Sequence, residues 1–217
     1  MRDKMITTLE QLGYHVQWKV INTREQGIPQ SRPRFYLVAI LSEVLRDDER
    51  GFRFPSRIPA ESILSYLENR PAKRDPLSET ATCLQALKAG KEKLKKKSVN
   101  YGREPCFVDV NATPAWSSAM VGVCPCLTST RCTQGGHYYV GHGMLTLTEM
   151  QRLQGIPDGR FDAERAKVKP QDLAFAVGNA MSVNVLMRIL PGALYAANLL
   201  QSKKPLPTRF ASKLQAP

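Results

Sequence analysis

The sequence predicts an α/β fold that carries an irregular, β-rich insertion, and three observations point there. Apolar residues near the start recur first at helical and then at strand spacing. Residues 42–142 break into proline-, glycine- and charge-rich pieces with only short β-prone runs. Helical spacing then returns and holds to about residue 200. The chain has 217 residues, 42% of them hydrophobic, which suffices for one compact unit plus a substantial insertion.

The elements follow in order. Met5, Ile6, Leu9 and Leu12 mark a short helix that Gly13 ends. Val16, Trp18 and Val20 alternate with Gln17 and Lys19, the period of a half-buried strand, whereas 35–41 is a continuous apolar run expected of a strand buried on both faces. The loop between them, 22–33, is long for a hairpin and carries Arg24, Gln30 and Arg32, so it is expected to be presented for function. A modest helix is expected at 62–67, and 80–97 is a basic segment. Short strands are expected at 106–110 and 138–140. Thr146 with Glu149 forms a capping box over Leu147, Met150 and Leu153, stopped by Gly155 and Pro157. A last helix starts near Ser182 and is kinked or ended by Pro191 before 193–200.

Lys and Arg number 31 against 19 Asp and Glu, a formal net charge of +12, which favours an anionic partner and nucleic acid first. A merely soluble basic protein is the alternative reading of the same charge. Lys88, Lys91, Lys93, Lys95, Lys96 and Lys97 are candidates for phosphate contact, for an import signal, or for a plain solvated face. No apolar run approaches the roughly 20 residues that span a bilayer, and the start lacks a signal peptide's apolar stretch, so an intracellular chain with no membrane partner is expected. Five cysteines, an odd number without framework spacing, read as reduced thiols. Cys124, Cys126, Cys132, His137 and His142 lie close in sequence, but Cys-Pro-Cys is not the usual zinc spacing, and no metal is expected.

Three blocks carry the chemistry. Gly27-Ile28-Pro29-Gln30-Ser31-Arg32-Pro33-Arg34 leads into an apolar strand. Residues two apart on an extended backbone share a face, so Gln30, Arg32 and Arg34 are expected to point together into a cleft, where guanidinium groups suit a phosphate or a pyrimidine carbonyl. The block resembles the eighth motif of the DNA cytosine-5 methyltransferases. Met144 to Glu149, followed by Arg152-Leu153-Gln154-Gly155-Ile156-Pro157-Asp158, resembles the ninth motif of the same family. Gly178-Asn179-Ala180-Met181-Ser182-Val183 is similar to the tenth, a glycine before a helix start that lets backbone approach a ligand. The blocks occur in the family's order, with the variable recognition region between the first and second.

The resemblance implies the C-terminal part of a Rossmann-like methyltransferase domain: residues 1–41 as the end of the catalytic sheet, 42–142 as the target-recognition region, 143–200 as the return to the catalytic domain, and 201–217 as a tail. It implies that Arg34 addresses a flipped cytosine with Arg32 and Gln30 in support, and that Gly178, Asn179 and Ala180 help hold S-adenosyl-L-methionine. Gly143 and Thr148 stand where the family usually has arginines, which implies the loss of some polar contacts between lobes. The family's Pro-Cys-Gln nucleophile loop and Glu-Asn-Val strand end do not occur. Pro105-Cys106 and Pro125-Cys126 lie downstream of the eighth motif, lack the glutamine, and read as structural. The expected partners are double-stranded DNA and an N-terminal catalytic lobe supplied in cis or in trans, in the nucleus or another DNA-containing compartment. Two alternatives stand beside this: a non-catalytic nucleic-acid-binding module, and the tRNA cytosine methyltransferase branch, one of whose dipeptides Cys106-Phe107 resembles.

Overall fold

The computed structural model describes residues 1–46, 51–71, 81–161, 164–165 and 167–201, so the expected tail lies almost wholly outside the described residues. Helix α1 (Arg2–Gln11) runs into an antiparallel hairpin of β1 (Tyr14–Asn22) and β2 (Pro33–Leu41). The register pairs Trp18 with Leu37 and Val20 with Phe35 on one face, and Ile21 with Arg34 on the other. That second face is the core face, where Ile21, Tyr36 and Ile40 bury against Phe52 and the last helix. The first face is not buried: Trp18, Val20 and Phe35 are exposed, and α1 covers it only in part, with Arg2 stacked over the Trp18 ring. The strand at 35–41 is therefore buried on one face, not both, because the last helix and Phe52 pack on one side and only α1, in part, on the other.

Residues 81–144 have a core of their own. Helix α2 (Ala81–Lys96) lays Ala86, Leu87 and Leu94 onto a four-stranded antiparallel sheet ordered β4-β3-β5-β6, from β3 (Cys106–Asp109), β4 (Ala119–Val121), β5 (His137–Tyr139) and β6 (Gly143–Met144). A short helix α3 (Ser129–Thr133), capped by Thr128, lies between β4 and β5. The basic segment is thus an amphipathic helix whose Leu87 and Leu94, seven residues apart, share a face. The helix expected at 62–67 is a single 3-10 turn, Ile63–Tyr66.

Helix α4 (Leu147–Leu153) has both halves of the capping box: Glu149 N–H donates to Thr146 Oγ1 and the Glu149 carboxylate accepts from Thr146 N–H. Helix α5 (Pro170–Asn179) opens with proline in its first turn, where the missing N–H costs nothing. Helix α6 (Val183–Ala196) continues through Pro191 instead of ending there. Burial of Ile189, Pro191 and Ala196 against the hairpin core holds its last turn in place. Among the described residues no single helix is long and apolar enough to cross a membrane, and the apolar bent pair α5–α6 buries Ala174, Val177, Val185 and Ile189 inside the fold.

Three separate apolar clusters result among the described residues, one under the hairpin, one under α2, and a third in which Ile28, Phe107, Leu127, Leu153 and Val177 join the 22–33 loop, α4 and α5 to the 106–132 segment. Each fully buried side chain in them contributes about 1.5–3 kcal/mol.

Candidate functional site

The 22–33 loop is not presented to solvent but folded into a junction. Asn22 accepts the N–H groups of Arg24 and Arg32 on its side chain, which ties the loop's two ends together. The loop backbone then pairs with the segment after β4: Cys124 N–H donates to Pro29 O at 2.8 Å and Ser31 N–H to Cys124 O at 2.9 Å. Thr23, Gln26, Gln30 and Arg32 are all buried, because their side chains satisfy backbone carbonyls that would otherwise be stranded inside.

Gln30, entirely buried, donates from Nε2 to Leu153 O at 2.7 Å and to Gln154 Oε1 at 3.3 Å. Gln154 in turn donates to Val177 O at 2.8 Å and accepts from the Ser182 hydroxyl at 3.2 Å, while Ser182 shares a 2.7 Å hydrogen bond with Thr23. The Arg32 guanidinium, 3% exposed, donates to Leu127 O, to Gly178 O at 3.1 Å and to Ala180 O at 2.7 Å. Loop, α4 end and α5–α6 turn thus meet in one buried polar network, although about 150 residues separate its two ends in the chain. Burial holds the pKa of Arg32 below the ordinary arginine value. Gln30 Oε1 and Arg32 Nε are buried there without a partner among the described residues.

Arg34 differs. It is half-buried, donates to Pro33 O at 2.8 Å, and reaches the Cys126 thiol at 3.5 Å from Nη2. Arg32 touches the same sulfur at 3.6 Å, so the two arginines do meet, at Cys126, while Gln30 turns to the end of α4. Cys126 itself is partly exposed, whereas burial raises the thiol pKa of Cys132 to about 12 and of Cys106 to about 11. His137, 1% exposed, is held neutral, its pKa lowered to about 4 by burial. No group of three or more His, Cys, Asp or Glu side chains among the described residues is arranged to hold a metal ion.

Gly178 and Asn179 end α5 instead of preceding a helix, and the residue that caps α6 is Ser182. A Cβ on Gly178 would sit 2.4 Å from Ser129 N, so its close approach is to the backbone of α3. The Gly178 and Ala180 carbonyls both accept from Arg32. Asn179 and Met181 are the exposed residues of this block. Gly155, at φ +77° with its Cβ position 3.0 Å from Asn184 N, lets the ninth block turn directly onto α6.

Contacts between the 42–142 insertion and the ninth block are also present, through Arg70, a residue outside the three motif blocks. Arg70 donates to Met144 O at 3.0 Å and forks onto the fully buried Glu149 carboxylate at 2.8 Å. Nothing in the sequence near Arg70 distinguishes it from other surface arginines; only its place in the fold does.

The chain is 30% identical over 184 residues to the type II methyltransferase M.NgoBI of Neisseria gonorrhoeae, covering 84% of this chain and 51% of that protein. It is 30% identical over 201 residues to M.HaeII of Haemophilus aegyptius, covering 90% of this chain and 55% of that protein. It spans about half the length of these curated relatives. In fold it is similar to the Entamoeba histolytica methyltransferase EhMeth, with a TM-score of 0.55 at 14% identity over 89% of this chain and 57% of that one. The S. pombe methyltransferase Dnmt2 gives a TM-score of 0.52 at 16% identity over 91% and 63%. Both likenesses are of fold alone, the Rossmann-like methyltransferase fold. The description of the C-5 cytosine-specific DNA methylases matches residues 1–192, and with the eighth, ninth and tenth blocks joined in one junction the chain belongs to that family.

Proposed function

We propose that this chain is the DNA-recognition and donor-pocket part of a DNA (cytosine-5)-methyltransferase. The observation that carries the reading is the junction, where Gln30, Arg32, Gln154 and Ser182 hold three motif blocks against one another and leave Arg34 half-buried beside Cys126 and Asn179 exposed. In this reading residues 1–41 end the catalytic sheet, 42–142 read the DNA, 143–200 return to the catalytic domain, and 201–217 form a tail. Arg34 addresses the flipped cytosine, and Arg32 and Gln30 fix its backbone from behind. Gly178, Asn179 and Ala180 border the S-adenosyl-L-methionine site, with the Asn179 amide as the contact. That donor supplies an activated methyl group on a sulfonium centre. The thiolate that adds to cytosine C6 comes from an N-terminal lobe, in cis or in trans, since the Pro-Cys-Gln loop does not occur in this sequence and Cys106 is sealed in a core. The compartment is the nucleus or another that contains DNA.

The test has two parts. The purified chain should bind duplex DNA with an affinity that falls steeply as salt rises, through counterion release at its basic surface. It should transfer no methyl group by itself and gain transfer when a catalytic lobe bearing the Pro-Cys-Gln loop is added or fused. Methyl incorporation by the pure chain, abolished by Cys126→Ser, would overturn the division of labour; DNA affinity that stays flat with salt would overturn the DNA reading.

A further inference from the structure

Trp116 is 84% exposed, at the tip of the loop that joins β3 to β4. A bare indole on a slack loop would fold back onto the protein, but this loop is braced from every side. Asp109 N–H donates to Ser118 O, and the buried Ser117 hydroxyl donates to Asp109 O at 2.8 Å. The N–H groups of Trp116 and Ser117 both donate to Thr113 O, and Asn111 binds across to Gln134. From α2, Lys93 turns its ammonium inward onto the carbonyls of Pro114 at 3.3 Å, Ala115 at 3.0 Å and Ser117 at 2.7 Å. A residue that composition suggests as a phosphate contact is instead the strut of this loop, and the tip it supports is an aromatic ring held away from the core.

The surroundings define what fits that ring. Residues 110–118 contain no acidic side chain, and the nearest carboxylate, Asp109, is closed by Arg131 at 2.9 Å. Lys96, which ends α2, and Lys97, in the turn after it, are exposed and lie one helical turn beyond Lys93, whose ammonium sits on this loop. Lys95 is taken by Glu92. A rigid aromatic face near exposed lysines is complementary to a stacked base and its phosphates, and less so to a protein surface, which would meet the lysines with desolvation it must offset. Resting on the reading that this chain binds DNA, we propose that Trp116 is the residue by which the recognition region touches bases, stacking on or wedging between them while Lys96 and Lys97 hold the flanking phosphates.

The chain contains two tryptophans, so Trp18→Phe leaves Trp116 as its single indole. Binding of a dye-labelled duplex, followed by anisotropy, and Trp116 emission are to be measured in the same titration. The expected result is quenching that saturates with binding. Trp116→Ala should weaken the complex about 5- to 100-fold with an unchanged salt slope, and Trp116→Phe should retain most of the affinity. Lys96→Gln with Lys97→Gln should lower the salt slope instead. Binding with unchanged emission and an unchanged Trp116→Ala affinity overturns the proposal while leaving DNA binding intact. Emission that changes on adding a catalytic lobe without DNA also overturns it, in favour of a protein contact. Absence of any anisotropy change overturns the DNA reading itself, and this proposal with it.

Discussion

Arg32 and Arg34 are chemically identical and two residues apart, yet their surroundings give them different work. Arg32 is an internal strut: its planar fork reaches three carbonyls on two separate segments, at Leu127 and at Gly178 and Ala180. A lysine ammonium cannot span those directions, and carbonyls left unmet inside cost far more than a surface contact gains. Arg32→Lys is expected to lower unfolding free energy by about 2–4 kcal/mol in urea titration, and Arg34→Lys by less than about 0.5 kcal/mol. In a reconstituted enzyme the order reverses in what matters to chemistry: Arg34→Lys should keep DNA affinity but reduce single-turnover methyl transfer roughly 30- to 1000-fold. Equal stability losses for the two variants would show that Arg34 is a second strut. The spacing of Gln30, Arg32 and Arg34 was legible in the sequence, but which arginine is internal was not. That depends on where residues 127, 178 and 180 come to rest, and no local pattern encodes it.

Among the elements, the capping box of α4 was readable because both its partners lie within one turn. Helix α2 was obscured by its lysines, whose charges mask a conventional apolar face of Ala86, Leu87 and Leu94. Helix α5 carried a signal in Pro170, Leu173, Ala174 and Val177, at an N1 proline and helical spacing, but the tenth motif drew attention to its last residues and away from the helix. Its contact with α3 was invisible beforehand, since a glycine required by backbone crowding looks the same as one required by a ligand. The two cases separate by substitution. Gly178→Ala must displace the Ser129 backbone 2.4 Å from the new Cβ, and is expected to cost about 1–3 kcal/mol. Gly192→Ala, in α6 with Phe52 at an ordinary 3.6 Å, is expected to be neutral or to stabilise by up to about 1 kcal/mol. Thermal unfolding of the two variants side by side checks this. A harmless Gly178→Ala would mean that α3 and α5 can part at little cost.

For the molecule as a whole, the composition indicated an anionic partner, but the hairpin's free face became visible only once the strands had been paired. The continuous apolar run at 35–41 had suggested burial on both sides, and the pairing leaves Trp18, Val20 and Phe35 at 42%, 56% and 41% exposure on one of them. Apolar side chains gathered on one sheet face, on strands that among the described residues pair with no third strand, mark a contact surface. We assign that surface to the catalytic lobe required by the proposed function, and the assignment can be tested apart from DNA binding. Val20→Asp and Phe35→Asp each place a charge on the free face, opposite the side that holds Ile21 and Tyr36. The chain itself should lose only about 1 kcal/mol, mainly from the Trp18–Phe35 ring contact at 5.6 Å in the second variant. Its affinity for duplex DNA should be retained, because the recognition region lies in a different cluster. Methyl transfer with a separately supplied lobe should fall at least about tenfold at limiting lobe and recover as lobe concentration rises, the behaviour of weakened association and not of damaged chemistry. Transfer that equals wild type at every lobe concentration would place the docking surface elsewhere, and transfer that fails to recover at saturation would make the hairpin part of the reacting site.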